Sequence, residues 1–131
     1  MSAKKSASRA PTGRRTYRQI IGQRAEDIAV EFLRAQGLQI LERNFRRRLG
    51  ELDIVARDGD TLVIVEVRMR ATDQFGGAAA SVDQRKQQRL GRAAAQLLQQ
   101  HSELSHLRAR FDVIAVHADG RVEWLRHAFL T

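Results

Sequence analysis

The sequence predicts an α/β domain: a mixed β-sheet flanked by helices, with elements in the order α-β-β-β-α-β-β. Three observations predict it. Two segments carry apolar residues at helical spacing, and five shorter ones are rich in β-branched or alternating apolar residues. Asp58-Gly59 sits between two runs of Val, Ile and Leu, the strongest short hairpin signal there is. A long helical segment then separates the third run from the fourth, which permits a right-handed crossover to a parallel strand.

Residues 1–17 hold Lys4, Lys5, Arg9, Arg14 and Arg15 with no acid, and too little of the stretch is apolar to pack. A disordered basic tail is expected there, and one domain over 18–131. From Arg18 to Gln36, Ile21, Ala25, Ile28, Ala29, Phe32 and Leu33 recur at helical spacing, and Gly37 supplies a stop. Alternation over 38–45 suggests a first strand. Glu51 to Arg57 and Thr61 to Arg70 form a hairpin with its turn at Asp58-Gly59. Leu62 to Val65 is apolar on both faces, which places the second of these strands centrally in its sheet. Residues 71–80 read as a mobile loop. Ser81 and Gln84 match a capping box, opening a helix to about Gln100 with Val82, Leu90, Ala93, Ala94, Leu97 and Leu98 facing inward. A strand around Phe111 to Val116 follows. Asp119-Gly120 then turns the chain into a short last strand, Arg121 to Leu125.

The 131 residues make one ordinary domain. Lys and Arg number 23 against 15 Asp and Glu, giving a net charge of +8, so a polyanionic partner is expected. The only lysines are Lys4, Lys5 and Lys86, and arginine suits forked recognition of phosphate. Without cysteine, a disulfide scaffold, a thiolate zinc site and a cysteine nucleophile are excluded. Apolar runs such as Leu62 to Val65 are far too short to span a bilayer. A cytoplasmic, nucleic-acid-facing domain is the expectation, with no membrane partner. His101, His106, His117 and His127 lie in no metal-ligand spacing and read as surface or edge residues. Gly76-Gly77 lacks the lysine of a phosphate loop.

The informative segment is Gly50-Glu51-Leu52-Asp53, then Val65-Glu66-Val67-Arg68. With a turn at Asp58-Gly59, Glu51 would face Glu66 and Asp53 would lie diagonal to it. Side chains two apart share a face, so Glu51, Asp53, Glu66 and Arg68 project together. Opposed like charges destabilise a strand pair, so a cation should sit among them. A hard divalent metal is one candidate. Arg68, Arg70 or one of Arg46 to Arg48 in a structural network is the other. The run Arg43, Arg46, Arg47, Arg48 immediately precedes the acidic strand; it is either a solvated turn or a grip on nucleic-acid backbone.

Those acidic motifs, with Gly22, Ala25-Glu26 and Ala29, Arg43-Asn44, Lys86, Arg110-Phe111-Asp112-Val113 and Ala128-Phe129, resemble the bacterial YraN-like family. That family is similar in fold to archaeal Holliday-junction resolvases and to the PD-(D/E)XK, or restriction-endonuclease-like, superfamily. The resemblance runs from about Gly22 to Phe129. It implies that Asp53 and Glu66 hold Mg²⁺, with Mn²⁺ as a substitute, and that Glu26 reaches the same site; Glu51 could also help to place the metal. It implies a lysine at position 68, where this chain has Arg68. Arginine stays charged and cannot serve as a base, but it can hold a phosphate oxygen. Lys86 is then the candidate amine or a phosphate contact. The expected function is nucleic-acid binding with Mg²⁺-dependent phosphodiester cleavage, acting on structured or branched DNA or RNA, with a homodimer implied by the resolvase likeness. The alternatives are a non-catalytic binding module with a degenerate nuclease site and, from another class, a protein-interaction domain whose charge serves solubility or lipid contact.

Overall fold

The computed structural model describes residues 16–70 and 82–129. The basic tail, the loop over 71–80 and Ser81 fall outside the described residues, except for Thr16 and Tyr17 at the tail's end. Those two residues belong to the first helix. α1 spans Tyr17–Ala35, and Thr16 caps it in a reciprocal box with Gln19. Four backbone N–H groups at a helix start lack internal partners, and this box satisfies one there while Gln19 satisfies the N–H of Thr16. The helix stops where expected, with Gly37 at φ +92 just past its end.

Five strands follow the expected order: β1 Gln39–Arg47, β2 Gly50–Asp58, β3 Thr61–Arg70, β4 Arg108–His117 and β5 Val122–Phe129. They form one sheet in the order β1-β2-β3-β4-β5, mixed because β3 pairs with β4 in parallel and every other pair is antiparallel. α2, Gln84–Gln100, supplies the crossover. Its N-cap is Asp83, whose side chain accepts from the Lys86 N–H at 2.8 Å, so the Ser81 box is not what starts it. Val82 is buried as expected but lies ahead of the helix.

Each face of the sheet carries its own core. On one face α1 buries Ala25, Ala29, Val30 and Leu33 against Ile54, Ala56, Val63, Val65 and Ile114. On the other α2 buries Leu90, Ala93 and Leu97 against Phe45, Leu52, Val55, Leu62, Ile64 and Val113. β3 is buried on both faces, as its unbroken apolar run requires. Among the described residues no helix is long and apolar enough to cross a membrane.

Three local expectations are corrected. The β2–β3 turn is Gly59-Asp60, not Asp58-Gly59: Asp58 pairs with Thr61, and Gly59 takes φ +61 at the first central position, the pattern of a type II′ turn. The pairing therefore slides by two residues, which preserves the faces of the paired residues from Ile54 to Asp58 but changes every neighbour. β1 extends through Arg46 and Arg47, so only the end of that arginine run lies in a turn. β5 continues to Phe129 past an irregularity between Phe111 and Val113. There the Asp112 carboxylate, fully buried, accepts from Arg110 Nε, Trp124 Nε1 and the His127 N–H. His117 is also buried, at 3.5 Å from Glu123, and is not a surface residue.

Candidate functional site

β2 and β3 pair from Asp58↔Thr61 to Ile54↔Val65. Beyond that point the Asp53 side chain accepts the Val67 N–H at 2.9 Å. The alternation of β2 also skips a step here. Leu52 packs in the α2-side core although Ile54, two residues on, packs in the α1-side core. Its neighbour strand does the same at Asn44, which has φ +54 and lies between the pairs Arg43↔Ile54 and Phe45↔Leu52. Asp53 thus stands at a twist shared by two strands, where a carboxylate replaces ladder bonds that a flat sheet would make. Bulges and irregularities of this kind re-aim side chains beside functional sites.

Glu66 follows the face of Leu62 and Ile64, toward α2, and its side chain is 5% exposed. Arg68 Nη2 lies 3.3 Å and Lys86 Nζ 3.5 Å from the same oxygen, Oε2. Asp53 makes a side-chain contact with Glu66. Burial, then the Asp53 charge, push the Glu66 carboxyl up to about 7, against the opposing pull of Lys86 and Arg68. Lys86 reaches the pair because Asp83 starts α2 three residues earlier, placing the lysine in its first turn.

Glu26 comes from the other side of the sheet. Its Oε1 accepts from Asn44 Nδ2 at 2.9 Å and Arg43 Nε at 3.2 Å. Burial raises its pKa, the Arg43 hydrogen bond opposes this, and the Asp53 charge adds to the rise. Asp53 is therefore felt by Glu26 on one side and by Glu66 on the other. Asp53, Arg68, Glu26, Asn44 and Arg46 line a cleft of about 580 Å³, with the first turns of α1 as its far wall. Arg68 Nε is buried without an acceptor among the described residues.

The remaining expected site residues are placed differently. Glu51 does not join the acid pair; it is exposed and lies 3.5 Å from Arg46 Nε. The two-residue slide of the hairpin and the twist at Asp53 both move it away from Glu66. Arg43 is bound to Glu26 and Asp27. Arg47 lies over the Phe45 ring and donates to Gln100 at the end of α2. Arg48 is exposed and makes no ion pair among the described residues. Sequence reasoning missed Asn44 as a contributor to this site; the Arg43-Asn44 pair was its only trace. No three His, Asp or Glu side chains among the described residues are grouped to hold a metal.

A mixed sheet with one helix on each face, and an acid pair where two strands part, defines an α/β protein. Residues 25–116 match the model of the family described as "Uncharacterised protein family UPF0102". A UPF0102 protein of Herminiimonas arsenicoxydans is 53% identical over 114 residues, 87% of this chain and 90% of that one. One of Bordetella avium is 55% identical over 108 residues, covering 82% and 73%. A third, of Alkalilimnicola ehrlichii, is 50% identical over 108 residues, covering 82% and 85%. The chain belongs to the UPF0102 family, the YraN-like family that its motifs resemble.

Proposed function

We propose that this protein is a nucleic-acid-binding domain that hydrolyses phosphodiester bonds at Asp53 and Glu66 with Mg²⁺ as cofactor. One observation carries the reading: two carboxylates meet where β2 and β3 stop pairing, and two cationic side chains converge on one of them. A buried like-charge pair is expensive, and apolar residues of similar volume at the same positions would hold the sheet better. The donor set suits Mg²⁺, which takes one or two carboxylates and completes its shell with water and phosphate oxygens. The raised Glu66 carboxyl supports the same fit, because it marks negative charge that Arg68 and Lys86 leave partly uncompensated. Held by Asp53 and Glu66, Mg²⁺ would supply Lewis-acid stabilisation of the phosphate and a more acidic water.

The chain's own groups do the rest. Arg68 lines the cleft, is held by Glu66 through one nitrogen, and has donors left for a non-bridging phosphate oxygen. An arginine keeps its proton, so Arg68 stabilises charge and takes no proton from water. Lys86 is the compact ammonium of the site, with three rotatable donors to orient the attacking water or the phosphate. Glu26, pinned by Arg43 and Asn44, keeps a second acid on the far side of Asp53.

The test is cleavage of branched, flapped and single-stranded DNA and of structured RNA, with Mg²⁺ and separately with Mn²⁺. Metal-dependent cleavage should be lost in Asp53→Asn and Glu66→Gln. Substrates bound but intact under every condition would replace this reading with a non-catalytic binding module.

A further inference from the structure

We propose that α2 is the track for the nucleic-acid backbone leading away from the Asp53–Glu66 site, with Arg85, Arg89 and Arg92 as its phosphate contacts. The inference rests on the nucleic-acid reading above and says which surface the strand follows. The three arginines sit at i, i+4 and i+7, one stripe of the helix, alongside the buried Leu90, Ala93 and Leu97. All three are exposed, and none makes a hydrogen bond, ion pair or ring contact among the described residues. Most other cations near the site are already engaged, as Arg43, Arg46 and Arg47 are. α2 holds no acid at all between its Asp83 cap and Gln100. Three unpartnered like charges on one stripe repel one another, so the arrangement costs stability unless an anion lies along it.

The stripe is continuous with the site. Lys86, next to Arg85, reaches Glu66 at 3.5 Å. Gly50 lies so close to the helix that a Cβ there would meet the Arg89 carbonyl oxygen at 2.8 Å. The β1–β2 turn, with its exposed Arg48, is therefore seated against the same helix. From Arg85 to Arg92 the axis advances about 10.5 Å, against about 3.4 Å per phosphate along one strand of a duplex. The three cations thus span about three phosphate intervals.

The rest of the exposed face decides the class of partner. Beside the arginines it presents Gln84, Gln88, Ala95 and Gln99. Amides hydrogen-bond to phosphate and sugar. A membrane-surface helix instead offers large apolar side chains for insertion, and this stripe has none.

The experiment compares the full chain with Arg85→Gln/Arg89→Gln/Arg92→Gln and with Arg24→Gln/Arg34→Gln/Arg108→Gln, which removes equal charge elsewhere. Binding to duplex DNA, single-stranded DNA and structured RNA is followed by anisotropy from 50 to 200 mM salt. Loss of three contacts should shallow the log–log salt slope by about 2.7, at 0.9 per contact. The wild type would then lose about 40-fold more affinity over that range than the α2 variant. Circular dichroism and a thermal melt confirm that both variants are folded. An unchanged slope in the α2 variant, or an equal change in both variants, overturns the proposal. Binding to phosphatidylserine vesicles but not to nucleic acid, lost in the α2 variant, overturns it in favour of a lipid surface. Cleavage activity separates the two readings. Cleavage with unchanged binding by the α2 variant refutes the track alone, while α2-dependent binding without cleavage refutes the nuclease alone.

Discussion

Glu66→Gln should stabilise the metal-free protein at alkaline pH. Glu66 titrates at about 7 in the folded chain against 4.5 as an ordinary glutamate, because burial and Asp53 disfavour its charge. Between those values the folded state holds a proton that the unfolded state has released. Stability therefore falls as pH rises through this window, and the whole penalty is present above the folded pKa. At about 1.4 kcal/mol per pH unit, the gap amounts to about 3 kcal/mol. The side chain is 5% exposed, so solvent screening does little to reduce it. Glutamine keeps the shape and removes the titration. Urea unfolding in EDTA should show wild type and variant close together at pH 4 and the variant ahead by about 3 kcal/mol at pH 8.5. Adding Mg²⁺ at pH 8.5 should close that gap, because an ion that binds only the folded state at 100 times its Kd stabilises by about 3 kcal/mol. A difference between the two proteins that does not change with pH would refute the reasoning. So would a variant less stable than wild type at pH 8.5 in EDTA.

Asp112→Ala strands Arg110 and the indole N–H of Trp124 in the interior, and should cost about 3–5 kcal/mol in urea unfolding, with a change in Trp124 emission. Gly50→Ala forces a methyl group to within 2.8 Å of the Arg89 carbonyl oxygen; calorimetry should show a loss of about 1–3 kcal/mol from the strain of parting the hairpin from α2. Arg68→Lys should raise metal-dependent cleavage if position 68 limits the rate, whereas Lys86→Ala should lower it in both backgrounds. Loss of activity in Arg68→Lys with unchanged affinity would show instead that the guanidinium fork itself holds the phosphate.

The architecture was legible because each element carries a local signal. α1 has helical spacing and a glycine stop, β3 has an apolar run on both faces, and the distance from Arg70 to Arg108 demands a crossover. The acid pair was legible for a weaker reason. The hairpin was expected to turn one residue too early, which moved its pairing by two; an even slip keeps the faces of the paired residues, and Asp53 still meets Glu66, at the twist where the pairing ends. Glu51 paid for the same slip, since its expected partner across the strands was wrong. The twist at Asn44 and Asp53 left no such trace, because alternation along a strand says nothing of where it fails. Partnerships of the arginines were equally hidden: Arg43 finds Glu26 and Asp27 seventeen and sixteen positions away, across a helix–sheet contact. Arg85, Arg89 and Arg92 could have been read from their spacing alone, but what distinguishes them is the absence of partners among the described residues, and that is a property of the folded surface.

Under the proposed function, Lys86 and Arg68 together would let the site work with an arginine in the position where its resemblance to the nuclease superfamily implies a lysine. One oxygen of Glu66 receives both side chains, from two different elements: Arg68 from two residues along its own strand, Lys86 from the first turn of the crossover helix. A lysine at 68 would put the ammonium and the carboxylate on one strand, with no need for α2. With arginine there, the planar fork is better matched to a phosphate than to a water molecule, and the compact amine is brought in by the helix. That division ties the chemistry to the packing of α2 on the sheet. The contacts that fix α2, the Gly50–Arg89 approach, the Arg47–Gln100 bonds and the burial of Leu90 and Leu97, also fix the distance from Lys86 to Glu66. The same helix then carries its exposed arginines outward from that lysine, so under the proposals above a single element would both complete the site and lead the backbone to it.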